Sequence, residues 1–129
     1  MWQLADDLGL TVVEHAGVHH AGYHPGTRTV HLAPGRSRRV TRSLLAHEIA
    51  HHVLNHHPTQ NGPLRARQEV AANEWAARRL IALPAYVEAE RLRDGHVATM
   101  AHDLDVVPEL ITAYQQILRR EWPRWAKAA

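Results

Sequence analysis

The sequence of 129 residues contains no cysteine, no phenylalanine and a single lysine, Lys127. Without cysteine the chain can form no disulfide bond and offers no thiolate ligand, so a metal site would need histidine, aspartate or glutamate. The absence of cysteine also fits a reducing compartment. Because the segment from Met1 to Asp7 has neither a basic stretch nor a long apolar stretch, we expect no signal peptide and a cytoplasmic protein.

Long hydrophobic runs are also absent. No stretch reaches the roughly 18 consecutive apolar residues that a membrane-spanning helix requires, so we expect no membrane association of that kind. Hydrophobic residues still make up 45% of the chain, which suffices for one buried core. We therefore expect a single domain over residues 1–129.

Neither sign of charge predominates, since the formal net charge is +2. The sequence pI of about 9.5 would be compatible with nucleic-acid binding. However, basic residues cluster at only one place, and no aromatic residues lie between them. A solvated loop and helix start explains this cluster better than a DNA-binding surface, so direct nucleic-acid binding is not expected. The cluster consists of Arg36, Arg38, Arg39 and Arg42.

Histidine, in contrast, is abundant, with 12 in the chain, and two of them form an HExxH motif. On a helix, His47 and His51 lie one turn apart on the same face, so both imidazoles can reach one zinc ion. Glu48 lies about 100° further round the helix from His47, beside the metal, where a general base for a zinc-activated water is needed. The motif is typical of zinc metalloproteases.

The surroundings of the motif favour a helix within residues 37–57. Apolar residues recur at helical spacing, Ser37 or Thr41 can cap the start, and Pro58 prevents further extension. The alternative is a surface helix with incidental histidines, which the apolar flanks disfavour. Those flanks are Leu44, Leu45, Ile49 and Val53.

A catalytic zinc needs a third protein ligand, and a second helix over residues 64–83 offers one. Pro63 suits its first turn and Pro84 marks its end. Small and apolar residues form one stripe with two polar ones, Glu69 and Asn73. If Glu69 is buried, its carboxylate needs a partner such as zinc. Asn73 can accept a hydrogen bond from the outer ring nitrogen of a zinc-bound histidine, and we expect that histidine to be His51. Alternatively, Glu69 is a solvated charge paired with Arg65.

The segment from Leu45 to Leu54 and the segment from Arg67 to Ile81 together resemble the ImmA/IrrE family of metallopeptidases. That family carries HExxH on one helix and E-x-x-A-N-x-(aromatic)-A-A on the next, where this chain has Trp75 in a position usually held by Phe. The resemblance implies an α+β, zincin-like fold in which Glu69 is the third zinc ligand and Asn73 supports a ligand histidine.

The remaining elements are predicted to be a small N-terminal sheet and C-terminal helices. Residues 1–35 should contain a first helix, a strand at 10–13 and a hairpin at 22–32 with a type II turn at Pro25-Gly26. We expect Thr29–Leu32 to lie in or near the strand that pairs with a peptide substrate. Residues 85–122 should be helical, and Pro123 should end the last helix. The stretch 97–111 faintly resembles a helix-turn-helix, but packing against the core is favoured.

These features predict metal-assisted peptide hydrolysis, with zinc on His47, His51 and Glu69 and with Glu48 as the general base. The resemblance implies a helix-turn-helix repressor of a phage, mobile element or stress regulon as substrate. A zinc-stabilised anti-repressor that binds without cutting is the main alternative. A general or cell-wall peptidase and a DNA-binding module are weaker ones.

Two questions remain open in the sequence. Tyr23 and His96 are both candidates for stabilising the oxyanion, and spacing selects neither. The other histidines could form a second metal site, but scattered surface imidazoles are favoured. Those before the motif are His15, His19, His20, His24 and His31, and those after it are His52, His56 and His57.

Overall fold

A small sheet and six α-helices make up the part of the chain that the structure, a computed structural model, describes, namely residues 1–122. This arrangement confirms the predicted α+β fold. Pro123, the predicted end of the last helix, lies outside the described residues. The elements in chain order are α1 (Trp2–Asp7), β1 (Thr11–Glu14), β2 (Ala21–His24), β3 (Thr29–Leu32), α2 (Arg38–Val53), α3 (Gly62–Leu80), α4 (Leu83–Arg93), α5 (Val97–Asp103) and α6 (Pro108–Glu121).

The sheet has the order β1-β3-β2, so β3 is its central strand. β3 pairs in parallel with β1 and antiparallel with β2. Both edges of Thr29–Leu32 are paired, so this strand itself has no free edge for a peptide, and the expectation that it lies in or near the substrate-binding strand stays a prediction. Its register with β1 places Val12 opposite Val30, so that both side chains face α2 and the core. The edge strand nearer α2 is β2.

The connection between β2 and β3 also differs from the predicted type II turn. Residues Pro25–Thr27 form a short 3-10 helix, with the proline at its start. The positive φ angle that a type II turn would place on Gly26 is adopted by Arg28, at 50°. Proline at the first position of a helical turn fits because its fixed φ is already helical.

α2 carries the HExxH motif against the sheet. Its start is capped by Ser37, whose hydroxyl accepts a hydrogen bond from the amide of Val40 at 3.3 Å. Ser37 is one of the two predicted caps, and the other, Thr41, lies within the helix. Leu45 and Ile49 are fully buried against the sheet. The helix ends at Val53, before the predicted limit, because Asn55 adopts a left-handed conformation with φ of 57°.

α3 follows α2 after a short loop and packs closely against it. Its cap is Asn61, whose side-chain oxygen accepts a hydrogen bond from Leu64 N at 2.9 Å. Ala72, Ala76 and Ala77 are fully buried, and small side chains let neighbouring helices approach closely. The helix ends at Leu80 rather than 83, because Pro84 belongs to the first turn of α4.

The C-terminal helices pack against the rest of the core. For residues 97–111, this packing was the favoured interpretation over a helix-turn-helix. α6 packs against both α3 and α5, and its Leu110, Ile111, Ile117 and Leu118 are buried. Each such side chain contributes about 1.5–3 kcal/mol by leaving water. None of the described helices is both long and apolar enough to cross a membrane.

Candidate metal centre

Two imidazoles from successive turns of α2 converge at one point. The Nε2 atoms of His47 and His51 lie 3.1 Å apart, and both side chains are largely buried, with exposures of 14% and 13%. The i,i+4 spacing on a straight helix produces this convergence.

Glu69 of α3 completes a triangle with these nitrogens. Its carboxylate oxygens lie 3.1 Å from His47 Nε2 and 3.0 Å from His51 Nε2. The two histidines hold the pKa of this carboxyl far below its usual range, mainly by hydrogen bonding. The side chain is 52% exposed, so the carboxylate reaches the site from the rim of α3 rather than from its buried face. The alternative pairing with Arg65 is not what the structure shows.

The donor set fits a divalent metal. Ligands at about 2.0–2.1 Å from a tetrahedral zinc are roughly 3.3 Å from one another, close to the observed sides of the triangle. Two imidazoles and one carboxylate suit zinc as well as several other transition metals.

Glu48 lies beside this triangle. Its carboxylate is within 4.8 Å of the nitrogens of His47 and His51, yet Glu69 is the acid that contacts both nitrogens at hydrogen-bonding distance. Glu48 is 7% exposed. Burial raises the pKa of its carboxyl, while the two histidines lower it and Glu69 raises it. A carboxylate next to a metal-binding triangle, and not one of its corners, has the position that a general base needs.

Asn73 contacts a histidine of the motif, but not the expected one. Its Oδ1 accepts a hydrogen bond from Nδ1 of His47 at 2.7 Å, whereas His51 was predicted as the donor. α2 and α3 are joined by a loop and run antiparallel. Asn73 lies one turn after Glu69 on α3, so it meets the residue one turn before His51 on α2, which is His47.

His51 has a partner that the sequence did not reveal. Its Nδ1 lies 2.9 Å from Nδ1 of His56, and the backbone amide of His56 donates to the carbonyl of His51 at 2.8 Å. The left-handed Asn55 turns the chain back so that His56 lies against His51. The interpretation of the additional histidines as scattered surface groups is therefore wrong for His56.

Of the two oxyanion candidates, only Tyr23 is near the site. Its hydroxyl is 2.7 Å from Nδ1 of His52, and burial raises the pKa of the phenol. His96 instead caps α5, where its ring accepts from Thr99 N at 3.3 Å.

Two cavities open onto the triangle from opposite sides, and Ala21, Glu48 and Glu69 line both. The polar cavity, about 430 Å³, lies at the C-terminal end of α2 and includes Tyr23, His51, His56, Thr59 and Arg65. The apolar pocket, about 490 Å³, lies at the N-terminal half of α2 and includes Val40, Leu44, Val107 and Leu110. Together they form a cleft through the site alongside β2.

This fold and this site define a zincin-like metallopeptidase domain, with the HExxH helix against a small sheet and a further donor on the next helix. The profile of a peptidase family, M78, described as the IrrE N-terminal-like domain, matches residues 5–113. The chain therefore belongs to the ImmA/IrrE family, as its two motifs predicted, and has a metallopeptidase-type function with a protein as its substrate. Neither a curated protein nor a solved structure gives a significant match.

Proposed function

We propose that the protein is a zinc-dependent endopeptidase in which His47, His51 and Glu69 hold the metal. The observation that carries this proposal is the triangle of donors, with sides of 3.0–3.1 Å. The cavities on both sides support an open, catalytic site, because a structural zinc would be closed by a fourth protein ligand.

Zinc bound there would polarise the scissile carbonyl and make its water acidic. Glu48 takes the proton of the attacking water and passes it to the leaving amine. Its position beside the triangle, outside the set of donors that would hold the metal, suits this role. Asn73 and His56 accept the outer N–H groups of His47 and His51, which leaves each Nε2 free for the metal.

The free edge of β2 is the proposed binding site for the substrate backbone. His20 O accepts from Ala33 N at 2.9 Å, and peptide groups alternate in direction along an antiparallel strand. The N–H and C=O groups of Ala21 and Tyr23 consequently point away from β3, along the cleft. An extended peptide can pair with them as an added strand.

The substrate we propose is a cytoplasmic helix-turn-helix repressor of a phage, mobile element or stress regulon, as the family resemblance implies. The alternative is an anti-repressor that binds the same partner without cutting it. Specific cleavage dependent on Glu48 distinguishes the two, because binding alone does not require a general base.

The test uses the zinc-loaded protein and a candidate helix-turn-helix repressor from the same genome. Glu48→Gln should keep zinc and fold yet cut the repressor about 10²–10⁴-fold more slowly. Glu14→Gln, on an exposed part of β1, is the matched control and should cut normally. Zinc-loaded wild type that binds the repressor and leaves it intact would favour the anti-repressor, and normal cutting by Glu48→Gln would refute the mechanism.

A further inference from the structure

A second group of histidines lies on the outer face of the sheet, away from α2. Side chains alternate between the two faces of a sheet, and Val30 faces α2, so its neighbour His31 projects from the opposite face. His15 directly follows β1, and its amide donates to the carbonyl of Leu32 at 3.1 Å, which continues the pairing of β1 with β3. His15 and His31 therefore share the outer face.

The two imidazoles on this face approach each other as closely as those of the HExxH motif. Nε2 of His15 lies 2.9 Å from Nδ1 of His31, and the rings meet edge to face with centroids 5.0 Å apart. The corresponding distance between His47 and His51 is 3.1 Å. Two nitrogens bound at about 2.0 Å to one ion are about 2.8 Å apart in a square-planar arrangement and about 3.3 Å apart in a tetrahedral one. The pair can consequently chelate a single ion.

Metal binding requires only a change of tautomer in this pair. Without metal, one of the two facing nitrogens donates its proton to the other. A neutral imidazole can instead carry its proton on the nitrogen that faces away. Both facing nitrogens then offer a lone pair to an ion that takes the place of the shared proton.

The surroundings of the pair leave room for an ion and supply a third donor. Gly22 lies opposite His31 on β2, and a Cβ there would meet no atom within 4 Å. The ring centroid of His24, two residues further along β2, lies 6.0 Å from that of His31. Because exposed side chains change rotamer within picoseconds to nanoseconds, the exposed His24 can turn its imidazole towards the pair.

The chemistry of these donors favours Cu²⁺ among the divalent metals. Imidazole suits zinc, copper, iron and nickel, and affinity for a given site rises through the series to Cu²⁺ and is lower again for Zn²⁺. Square-planar or tetragonal coordination is typical of Cu²⁺ and Ni²⁺, and water can fill the remaining positions on an exposed face. The observed 2.9 Å is also nearer to the square-planar separation than to the tetrahedral one.

We propose that His15 and His31, assisted by His24, form a second metal site that takes a divalent transition-metal ion and binds Cu²⁺ most tightly. This departs from the favoured interpretation of these residues as scattered surface groups. The site lies on the face of the sheet opposite α2 and does not depend on the proposed peptidase function. An ion held there joins the end of β1 to the central strand, so its binding stabilises the folded sheet.

The first test localises the ion on the wild-type protein by nuclear magnetic resonance. The protein, labelled with ¹⁵N and equilibrated with one equivalent of zinc, receives substoichiometric CuCl₂, and paramagnetic Cu²⁺ broadens the amide signals near it. We expect His15, His24 and His31 to broaden before His51 and His56. Broadening that begins at His51 and His56, or that spreads over all histidines alike, would overturn the proposal. Broadening at the sheet in a protein that holds no zinc would refute the central site and support this one.

The second test measures Cu²⁺ affinity by calorimetry, with glycine as a competing ligand. His15→Ala and His31→Ala should each bind at least about 100-fold more weakly, because even the loss of an outer partner of a metal ligand costs about 10–100-fold. His24→Ala should be milder. His102→Ala, at an exposed position of α5, makes the same truncation away from the sheet and should bind like wild type.

One further variant separates the two metal sites. His47→Ala/His51→Ala removes donors of the central site and should keep wild-type Cu²⁺ affinity at the sheet. Loss of Cu²⁺ binding in this folded variant, or unchanged affinity in His31→Ala, would show that copper binds elsewhere. Circular dichroism verifies folding, and if a variant does not fold, the pattern of broadening on the wild type still decides.

Discussion

At the scale of single residues, the outer nitrogens of the candidate ligands have unlike partners. His47 faces an amide, Asn73, and His51 faces another imidazole, His56. The sequence placed Asn73 near the site because helical spacing orders residues on one helix. It assigned the wrong histidine because that spacing does not give the relative direction of two helices. His56 depends on the left-handed Asn55, which periodicity cannot reveal.

Loss of either partner should weaken zinc retention. We expect Asn73→Ala and His56→Ala to lose zinc to a competing chelator about 10–100-fold more readily than wild type, because outer partners orient the ligand ring. Asn73→Asp should be milder, since a carboxylate accepts the same hydrogen bond. Gln116→Ala and His102→Ala, at exposed positions of α6 and α5, serve as controls. Equal chelator resistance in all these proteins would show that the observed hydrogen bonds do not support the site.

At the scale of elements, the sequence predicted where helices and strands occur along the chain better than it predicted which of them pack against or pair with one another. Alternation identified β3 through Val30 and Leu32, both fully buried, but gave no strand order. The order arises from long-range pairing, in which β1 joins the side of β3 that β2 leaves free. Alternation alone therefore could not show that the free edge nearer α2 belongs to β2, the neighbour of Thr29–Leu32.

The free edge of β2 can be tested with one substitution. Ala21→Pro removes an N–H that points away from β3, so it should leave the sheet and zinc binding intact. We expect kcat/KM for the repressor to fall about 3–10-fold, which corresponds to one lost hydrogen bond. The control is Thr11→Ala, at an exposed position of β1 on the opposite edge of the sheet. Unchanged kcat/KM in a folded Ala21→Pro protein would argue against pairing at this edge.

At the scale of the whole molecule, two apolar clusters meet beneath the metal centre. One joins the sheet to α2, the other joins α3 to the C-terminal helices, and Trp75 packs against both. The sequence predicted the α+β class and the helices that form these clusters. It could not predict the apolar pocket, because Leu44 and Val107 are distant in the chain and only tertiary packing brings them together.

Metal binding should stabilise the entire folded domain. Free zinc at about 100 times its Kd adds about 2.7 kcal/mol to the free energy of unfolding, which corresponds to a rise in Tm of roughly 10 °C for a chain of this size. We expect a chelator to reverse that rise in wild type and in His102→Ala, while His47→Ala shows no response. Differential scanning calorimetry measures the change. A zinc-dependent Tm in His47→Ala/His51→Ala would place the metal elsewhere.

All three donors of the triangle lie on two consecutive helices, between His47 and Glu69, and this locality bears on how the chain folds. Closing a short loop costs little entropy, and contacts between sequence neighbours form faster than contacts across a chain. The α2–α3 hairpin can therefore assemble before α6 arrives to close the apolar pocket. We expect the nascent chain to acquire its metal early, with the cleft completed around an ion already in place.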